Sequence, residues 1–167
     1  MLHKLQSAAM KLVVAGPSKC GKSSIVDSLS QQKELGSDDH YIATVGCRIV
    51  EIELGDIEKG VELWDSSGNM DYSRCWPAIG ADANGVILVC NSEMQKDEIE
   101  LWHETYVAKH EKSKNECLVI VNSKEKAEVN FELPSCLEGC TVLKIQGSDS
   151  TKKLKDGVAR FIRKMIT

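Results

Sequence analysis

The sequence predicts an α/β fold built on a mostly parallel β-sheet, and three observations support this. Short apolar segments typical of buried strands recur along the chain, and segments with apolar residues at helical spacing lie between them. A glycine-rich turn at residues 16–23 joins the first such strand to the first helix. The length of 167 residues suits one core, so we expect a single domain over residues 1–167.

The first half of the chain contains three predicted strands and one helix. Residues 11–15 form an apolar run ahead of the glycine-rich turn, which predicts a buried strand. Residues 31–40 are polar and predict a surface loop. Residues 50–54 alternate between apolar and acidic side chains, and residues 61–65 follow after a turn, which predicts a hairpin with one antiparallel edge strand. The helix after the glycine-rich turn has its apolar positions at Ile25, Val26 and Leu29.

The second half alternates between buried strands and helices. Residues 86–90, 117–121 and 141–145 are apolar strand segments, and residues 95–110 and 151–165 have helical spacing. The complete prediction is therefore a six-stranded sheet with flanking helices. The segment before the last strand is short and acidic and contains a proline, so we expect only a reduced helix there.

Several aromatic residues have two interpretations. Trp102 and Tyr106 lie on the apolar stripe of a predicted helix, which favours core packing, with a protein-binding surface as the alternative. Trp64, Trp76 and Pro77 are candidates for a partner surface, and the alternative for Trp64 and Trp76 is that they fill one face of the sheet. The sequence leaves both interpretations open.

Composition and charge exclude several classes of function. The net charge of −4 comes without a concentrated basic patch, so we expect no nucleic-acid partner. No apolar run is long enough to span a bilayer, and there is no signal-peptide pattern. The C-terminus ends without a cysteine that could be prenylated, so we expect no direct membrane anchor.

The cysteines do not form a recognisable framework. Seven are scattered along the chain, an odd number that predicts reduced thiols rather than a set of disulfides. Cys136 and Cys140 have the spacing of a metal-ligand pair, but no second pair accompanies them, so we interpret them as ordinary thiols with zinc binding as the alternative.

The glycine-rich turn carries the strongest chemical signal. It matches the P-loop pattern, Gly-x-x-x-x-Gly-Lys-Ser, in which backbone N–H groups and a helix N-terminus surround phosphate oxygens. The lysine reaches the outer phosphates and the serine hydroxyl can bind Mg²⁺. The predicted nucleotide-binding residues of the turn are Gly16, Ser18, Lys19, Cys20, Gly21, Lys22, Ser23 and Ser24.

Three further motifs follow in the order found in small GTPases, and with them the chain resembles the Ras superfamily and its P-loop small-GTPase fold. These are Thr44 in Thr-x-Gly, Asp65 and Gly68 in Asp-x-x-Gly, and Asn122 after an apolar strand. The resemblance implies GTP or GDP as ligand, with Mg²⁺ held by Ser23, Thr44 and, through water, Asp65. It also implies that the Gly68 backbone N–H binds the γ-phosphate and that Asn122 begins the base-binding loop.

A narrower resemblance rests on residues 62–65, 75–78 and 82–86. These segments are similar to the family of Rab-like small GTPase subunits of the intraflagellar transport B complex. The resemblance implies a GTP-binding switch or adaptor that docks on coiled-coil subunits of that complex, is monomeric outside it, and supports assembly of the cilium or flagellum. It also implies a location in the cytoplasm, in the cilium or flagellum and near the basal body.

Two departures from the Ras pattern bear on mechanism. Asn69 occupies the place of the glutamine that positions the attacking water, so we expect hydrolysis on the order of 10⁻⁴ s⁻¹ or slower and assign no catalytic residue. In the base-binding loop, Asn122 is followed by Lys124 and Glu125 rather than by the Asn-Lys-x-Asp pattern. If Glu125 reaches the base, a preference for guanine survives; if it does not, ATP binds comparably.

Three other functions fit parts of the sequence. A slow GTPase timer would need turnover for its function, and a purine-nucleotide-stabilised scaffold would bind its partner equally with GDP and GTP. A small-molecule P-loop kinase is disfavoured, since no acceptor-site base or arginine-rich lid is visible.

Overall fold

A six-stranded sheet forms the centre of the computed structural model, which describes residues 9–31, 33, 35, 41–55, 57–123, 132–146, 149 and 151–167. The strands are β1 (Met10–Ala15), β2 (Cys47–Ile52), β3 (Val61–Ser66), β4 (Gly85–Asn91), β5 (Cys117–Ser123) and β6 (Thr141–Gln146). The α-helices in the described part are α1 (Lys22–Leu29), α2 (Trp76–Gly80), α3 (Lys96–His103) and α4 (Thr151–Ile166). Short 3₁₀ turns lie at Met70–Cys75, Lys114–Glu116 and Ser135–Leu137, and a π-helical turn at Glu104–Ala108 continues α3.

The strand order is β2-β3-β1-β4-β5-β6, with β2 antiparallel to β3 and every other neighbouring pair parallel. This confirms the predicted six-stranded, mostly parallel sheet with one antiparallel edge strand. Because the parallel strands all end on one side, the P-loop after β1 and the Asp-x-x-Gly segment after β3 meet at the same edge. That edge is the candidate site.

The main differences from the sequence prediction are the position of the edge strand, one additional helix and the end of α3. The first hairpin strand lies at 47–52 rather than 50–54, because β2 pairs with β3 from Cys47 opposite Ser66 to Ile52 opposite Val61. Residues 76–80 form the short helix α2, which the polar surroundings did not predict; a proline in the first turn of a helix is favourable. Helix 95–110 is α-helical only to His103.

Two predictions fall partly or wholly on residues outside the described ranges. Most of the predicted surface loop at 31–40 is outside them. So are residues 124–131, which belong to the segment where a reduced helix is expected. The described remainder of that segment contains the 3₁₀ turn Ser135–Leu137.

Each face of the sheet has its own apolar core because side chains alternate along the strands. In β1, Leu12 and Val14 face the layer formed by α1 and α4, whereas Val13 and Ala15 face the layer formed by α2 and α3. The described part of the chain contains no helix with the length and apolar character that a membrane crossing requires.

Three aromatic rings fill the core between the sheet and α3. Trp76, Trp102 and Tyr106 are buried, with ring centroids 4.7 Å apart for the tryptophan pair and 6.1 Å for the stacked Trp102 and Tyr106. The Tyr106 hydroxyl lies 2.6 Å from Ser66 Oγ, which satisfies both buried hydroxyls. Core packing is therefore the correct interpretation for these three residues. Trp64 is half-buried, and the Lys11 ammonium lies 3.8 Å from its ring centroid.

Candidate functional site

The P-loop wraps tightly between β1 and α1. Lys19 and Gly21 have positive φ angles of 64° and 98°, and α1 begins directly after Gly21. A β-carbon at Gly21 would collide with the side-chain amide nitrogen of Asn122, so the close approach requires glycine. That amide donates a hydrogen bond of 3.1 Å to the Cys20 carbonyl oxygen. Asn122, predicted as the start of the base-binding loop, therefore also supports the P-loop.

The predicted P-loop side chains divide into an inner and an outer set. Lys22 is buried, and its ammonium donates a hydrogen bond of 2.7 Å to the Pro17 carbonyl oxygen across the loop. Cys20 is buried beside it, and desolvation raises the pKa of its thiol. The outer, exposed set is Ser18, Lys19 and Ser24, while Gly16 is buried and Gly21 and Ser23 are half-buried.

Three oxygen-bearing side chains converge beside the loop. Ser23 Oγ lies 2.9 Å from Thr44 Oγ1 and 2.9 Å from Asp65 Oδ2, and Thr44 Oγ1 lies 3.4 Å from the same carboxylate oxygen. These residues come from α1, from the segment before β2 and from β3, so tertiary folding alone brings them together. All three were predicted as magnesium-site residues.

The second carboxylate oxygen of Asp65 shows that this cluster suits a cation. Asp65 is fully buried, yet its Oδ1 atom has no hydrogen-bond partner. A buried acceptor beside two hydroxyl groups fits an ordered water or a hard cation such as Mg²⁺, which prefers oxygen ligands. Among the described residues, no group of three or more His, Cys, Asp and Glu side chains could hold a metal ion.

Arg48 is a site residue that sequence reasoning missed. Its guanidinium contacts Asp65 Oδ2 at 3.2 Å and Asp27 Oδ1 at 2.8 Å. Arg48 lies directly opposite Asp65 in the β2–β3 register, so a correct hairpin alignment would have found it. The Arg48 guanidinium therefore connects β2 and α1 to the buried Asp65 carboxylate.

Burial sets the electrostatics of Asp65. Desolvation raises the pKa of its carboxyl, although the hydrogen bond from Ser23 and the charge of Arg48 act in the opposite direction. The neighbouring protein groups therefore do not fully offset the free-energy cost of burying the ionised Asp65 carboxylate.

Gly68 and Asn69 lie where β3 leads into the following 3₁₀ turn. A β-carbon at Gly68 would clash with the Ser18 backbone nitrogen and lie 2.7 Å from the Gly16 carbonyl oxygen, so this segment packs directly on the P-loop. The Asn69 side chain caps the 3₁₀ turn by accepting a hydrogen bond of 3.0 Å from the Asp71 backbone N–H. The side-chain amide of Asn69 is therefore engaged in a hydrogen bond within this turn. Lys124 and Glu125, the other predicted base-loop residues, lie outside the described residues.

The strand order, the P-loop and the Ser23–Thr44–Asp65 cluster define a P-loop protein of the Ras-like GTPase class. Consistent with this, a family model described as Roc, "Ras of Complex", domain of DAPkinase, matches residues 11–125.

Similarity to individual proteins identifies the family within this class. The chain is 34% identical to the intraflagellar transport protein 22 homolog of Danio rerio, with 75% of this chain and 72% of that protein covered. It is 30% identical to the homolog of Xenopus tropicalis, with 94% and 90% covered. A crystal structure described as T. brucei IFT22/74/81, GTP-bound, matches with a TM-score of 0.77 and 26% identity, covering 96% of each chain. The chain belongs to the intraflagellar transport protein 22 family.

We expect the Asp65→Asn variant to separate folding from cation binding. Its melting temperature without Mg²⁺ should equal or exceed that of the wild type, because the raised pKa means that burial disfavours the ionised carboxylate in the folded state. With nucleotide present, the rise in melting temperature that Mg²⁺ gives the wild type should be absent. Thermal unfolding measured by circular dichroism tests both outcomes.

Asp97→Asn, an exposed substitution in α3, is the matched control and should keep the full Mg²⁺ response. A normal Mg²⁺ response in Asp65→Asn would contradict the assignment.

Proposed function

We propose that this chain is a GTP-binding switch or adaptor subunit of the intraflagellar transport B complex, acting in cilium or flagellum assembly as one small-GTPase-like domain. The observation that carries the proposal is the meeting of Ser23, Thr44 and Asp65 beside the P-loop. Family membership supplies the cellular context. The GTP-bound IFT22/74/81 structure supports guanine nucleotide as the ligand and subunits of the complex as partners.

Different residues of the proposed site bind the phosphates and the Mg²⁺ ion. The P-loop backbone N–H groups bind phosphate oxygens, and the buried Lys22 ammonium places a positive charge beside them. Ser23 and Thr44 supply hydroxyl ligands for Mg²⁺, and Asp65 holds it through water. When bound, Mg²⁺ neutralises charge between the outer phosphates.

The proposed switch consists of the segments that contain Thr44 and Gly68. Thr44 and the Gly68 backbone N–H contact the γ-phosphate end of the nucleotide, so loss of that phosphate releases both segments. The close packing of Gly68 on the P-loop supports a role for its segment in the switch. We assign base binding to Asn122, Lys124 and Glu125, as the sequence resemblance implies.

The partner surface lies beside the switch. Most of the large apolar side chains exposed in the described part of the chain lie around Thr44 and just after Asn69: Tyr41, Ile42, Val45, Ile49 and Met70. Exposed apolar patches of this kind mark protein interaction sites. We assign this patch to coiled-coil subunits of the complex, with the chain monomeric outside it and located in the cytoplasm, the cilium or flagellum and near the basal body.

Hydrolysis is a minor part of this function. Asn69 is one methylene shorter than the usual glutamine, and its side-chain oxygen caps the 3₁₀ turn. The runner-up functions are a slow GTPase timer and a purine-nucleotide-stabilised scaffold with relaxed base specificity.

Nucleotide titration tests the ligand assignment. We expect nucleotide-free protein in Mg²⁺ to bind fluorescent GTP at least about tenfold more tightly than fluorescent ATP, a difference of roughly 1.4 kcal/mol, if Glu125 accepts hydrogen bonds from guanine. A Glu125→Ala variant should lose this preference and retain binding through the phosphates. Equal binding of GTP and ATP by the wild type would favour the scaffold.

Single-turnover hydrolysis by the isolated protein separates an adaptor from a timer. We expect a rate on the order of 10⁻⁴ s⁻¹ or slower, because Asn69 leaves the attacking water poorly positioned. Asn69→Gln should raise the rate without changing partner binding, and Asn69→Ala, which lacks the amide, should not raise it. Loss of partner binding in the faster variant would favour the timer.

Charged substitutions test the partner surface. Ile42→Asp and Val45→Asp, at positions 82% and 77% exposed, should each weaken co-purification with the coiled-coil subunits by about tenfold or more while leaving nucleotide affinity unchanged. Leu101→Asp, at an exposed position in α3, is the control and should co-purify normally. Equal retention of all three variants would place the interface elsewhere.

A further inference from the structure

Three cysteines lie together at the edge of the sheet opposite the P-loop. Cys117 begins β5, Cys140 immediately precedes β6, and Cys136 lies in the 3₁₀ turn before it. All three pack in the apolar core on the α2–α3 face of the sheet. They are free thiols, and the nucleotide site uses none of them.

The strand register brings two of these thiols side by side. Leu118 pairs with Thr141 in the parallel β5–β6 ladder, so Cys117 and Cys140 lie one step earlier at the same level. Neighbouring strands are about 4.8 Å apart, within the range of Cα separations that disulfides span. Both side chains pack in the apolar core on the same face of the sheet, so the two thiols are neighbours across the β5–β6 pair.

A positively charged side chain, Lys114, lies near the same pair of cysteines. The Lys114 side chain lies over Gly139, where a β-carbon would be 3.1 Å from its Cδ and 3.4 Å from its Nζ atom. The hydrogen bond from Cys117 lowers the pKa of Cys140 to about 7, with the Lys114 charge acting in the same direction and burial opposing both. The same hydrogen bond, together with burial, raises the pKa of Cys117.

Cys140 and Cys117 differ in their exposure to solvent, which suits them to different roles in oxidation. Cys140 is only half-buried, whereas Cys117 is completely buried behind it. Peroxide-sensitive cysteines combine thiolate character, access to solvent and a neighbouring thiol that resolves the oxidised form. Cys140 has the first two properties, and Cys117 supplies the third.

We propose that Cys140 and Cys117 form a reversible, peroxide-sensitive disulfide site at the end of the sheet remote from the nucleotide. In the first step, the Cys140 thiolate attacks an oxygen of hydrogen peroxide; an S–O bond forms, the O–O bond breaks, and hydroxide leaves. Cys140 becomes a sulfenic acid and the peroxide is reduced.

In the second step, Cys117 loses its proton and its sulfur attacks the Cys140 sulfur. The S–S bond forms, the S–O bond breaks, and the departing oxygen takes up a proton and leaves as water. A thiol reductant restores both cysteines by exchange.

The test treats the 167-residue, nucleotide-loaded chain with dilute hydrogen peroxide and maps its cysteines by mass spectrometry. We expect a Cys117–Cys140 disulfide in the wild type that dithiothreitol reverses. In Cys117→Ala, the disulfide should be absent and dimedone should label a sulfenic acid on Cys140. Before oxidation, iodoacetamide labelling of Cys140 should reach half its maximal rate near pH 7.

Two variants serve as controls. In Cys140→Ser, at a half-buried position, Cys117 should stay a free thiol under the same peroxide treatment, and oxidation of Cys117 there would contradict the proposal even if Cys117→Ala fails to fold. Cys75→Ser removes an exposed cysteine outside the cluster and should behave like the wild type. A Cys136–Cys140 disulfide, or an unmodified Cys140 under conditions that oxidise Cys75, would overturn the proposal.

Discussion

The burial of the Asp65 carboxylate is the constraint on which the functional edge of this protein depends. A buried charge is costly unless polar partners surround it, and three segments supply those partners: Ser23 from α1, Thr44 from the segment before β2, and Arg48 from β2. Burial still outweighs them in its effect on the pKa. The carboxylate therefore holds these segments together while keeping one oxygen available to a further partner.

The same end of β3 connects the candidate site to the core. Directly after Asp65, Ser66 shares a hydrogen bond with Tyr106, whose ring stacks on Trp102. The π-helical turn that contains Tyr106 continues α3, and such turns often mark functional positions. A contiguous packed route therefore joins the candidate site to the α2–α3 layer.

The sequence predicted much of the fold and of the site, and the failures have physical causes. Apolar runs identified five strands, because burial between helices imposes that pattern, and alternating apolar and acidic residues identified the edge strand β2. Helix α2 was missed because a five-residue helix presents too few turns for periodicity to show. Arg48 was missed because the predicted strand began at residue 50, and only the β2–β3 register of the structure places Arg48 opposite Asp65.

The sequence by itself determined the P-loop, the order of the switch motifs and the departures at Asn69 and Glu125, because these depend on residue type and spacing along the chain. Tertiary structure alone decided that Asn122 supports the P-loop, that Gly68 packs on it, and that Cys117 lies next to Cys140 across the β5–β6 pair. These contacts join residues far apart in the chain. They arise from strand order and register, which follow from the packing of the whole sheet rather than from any local pattern.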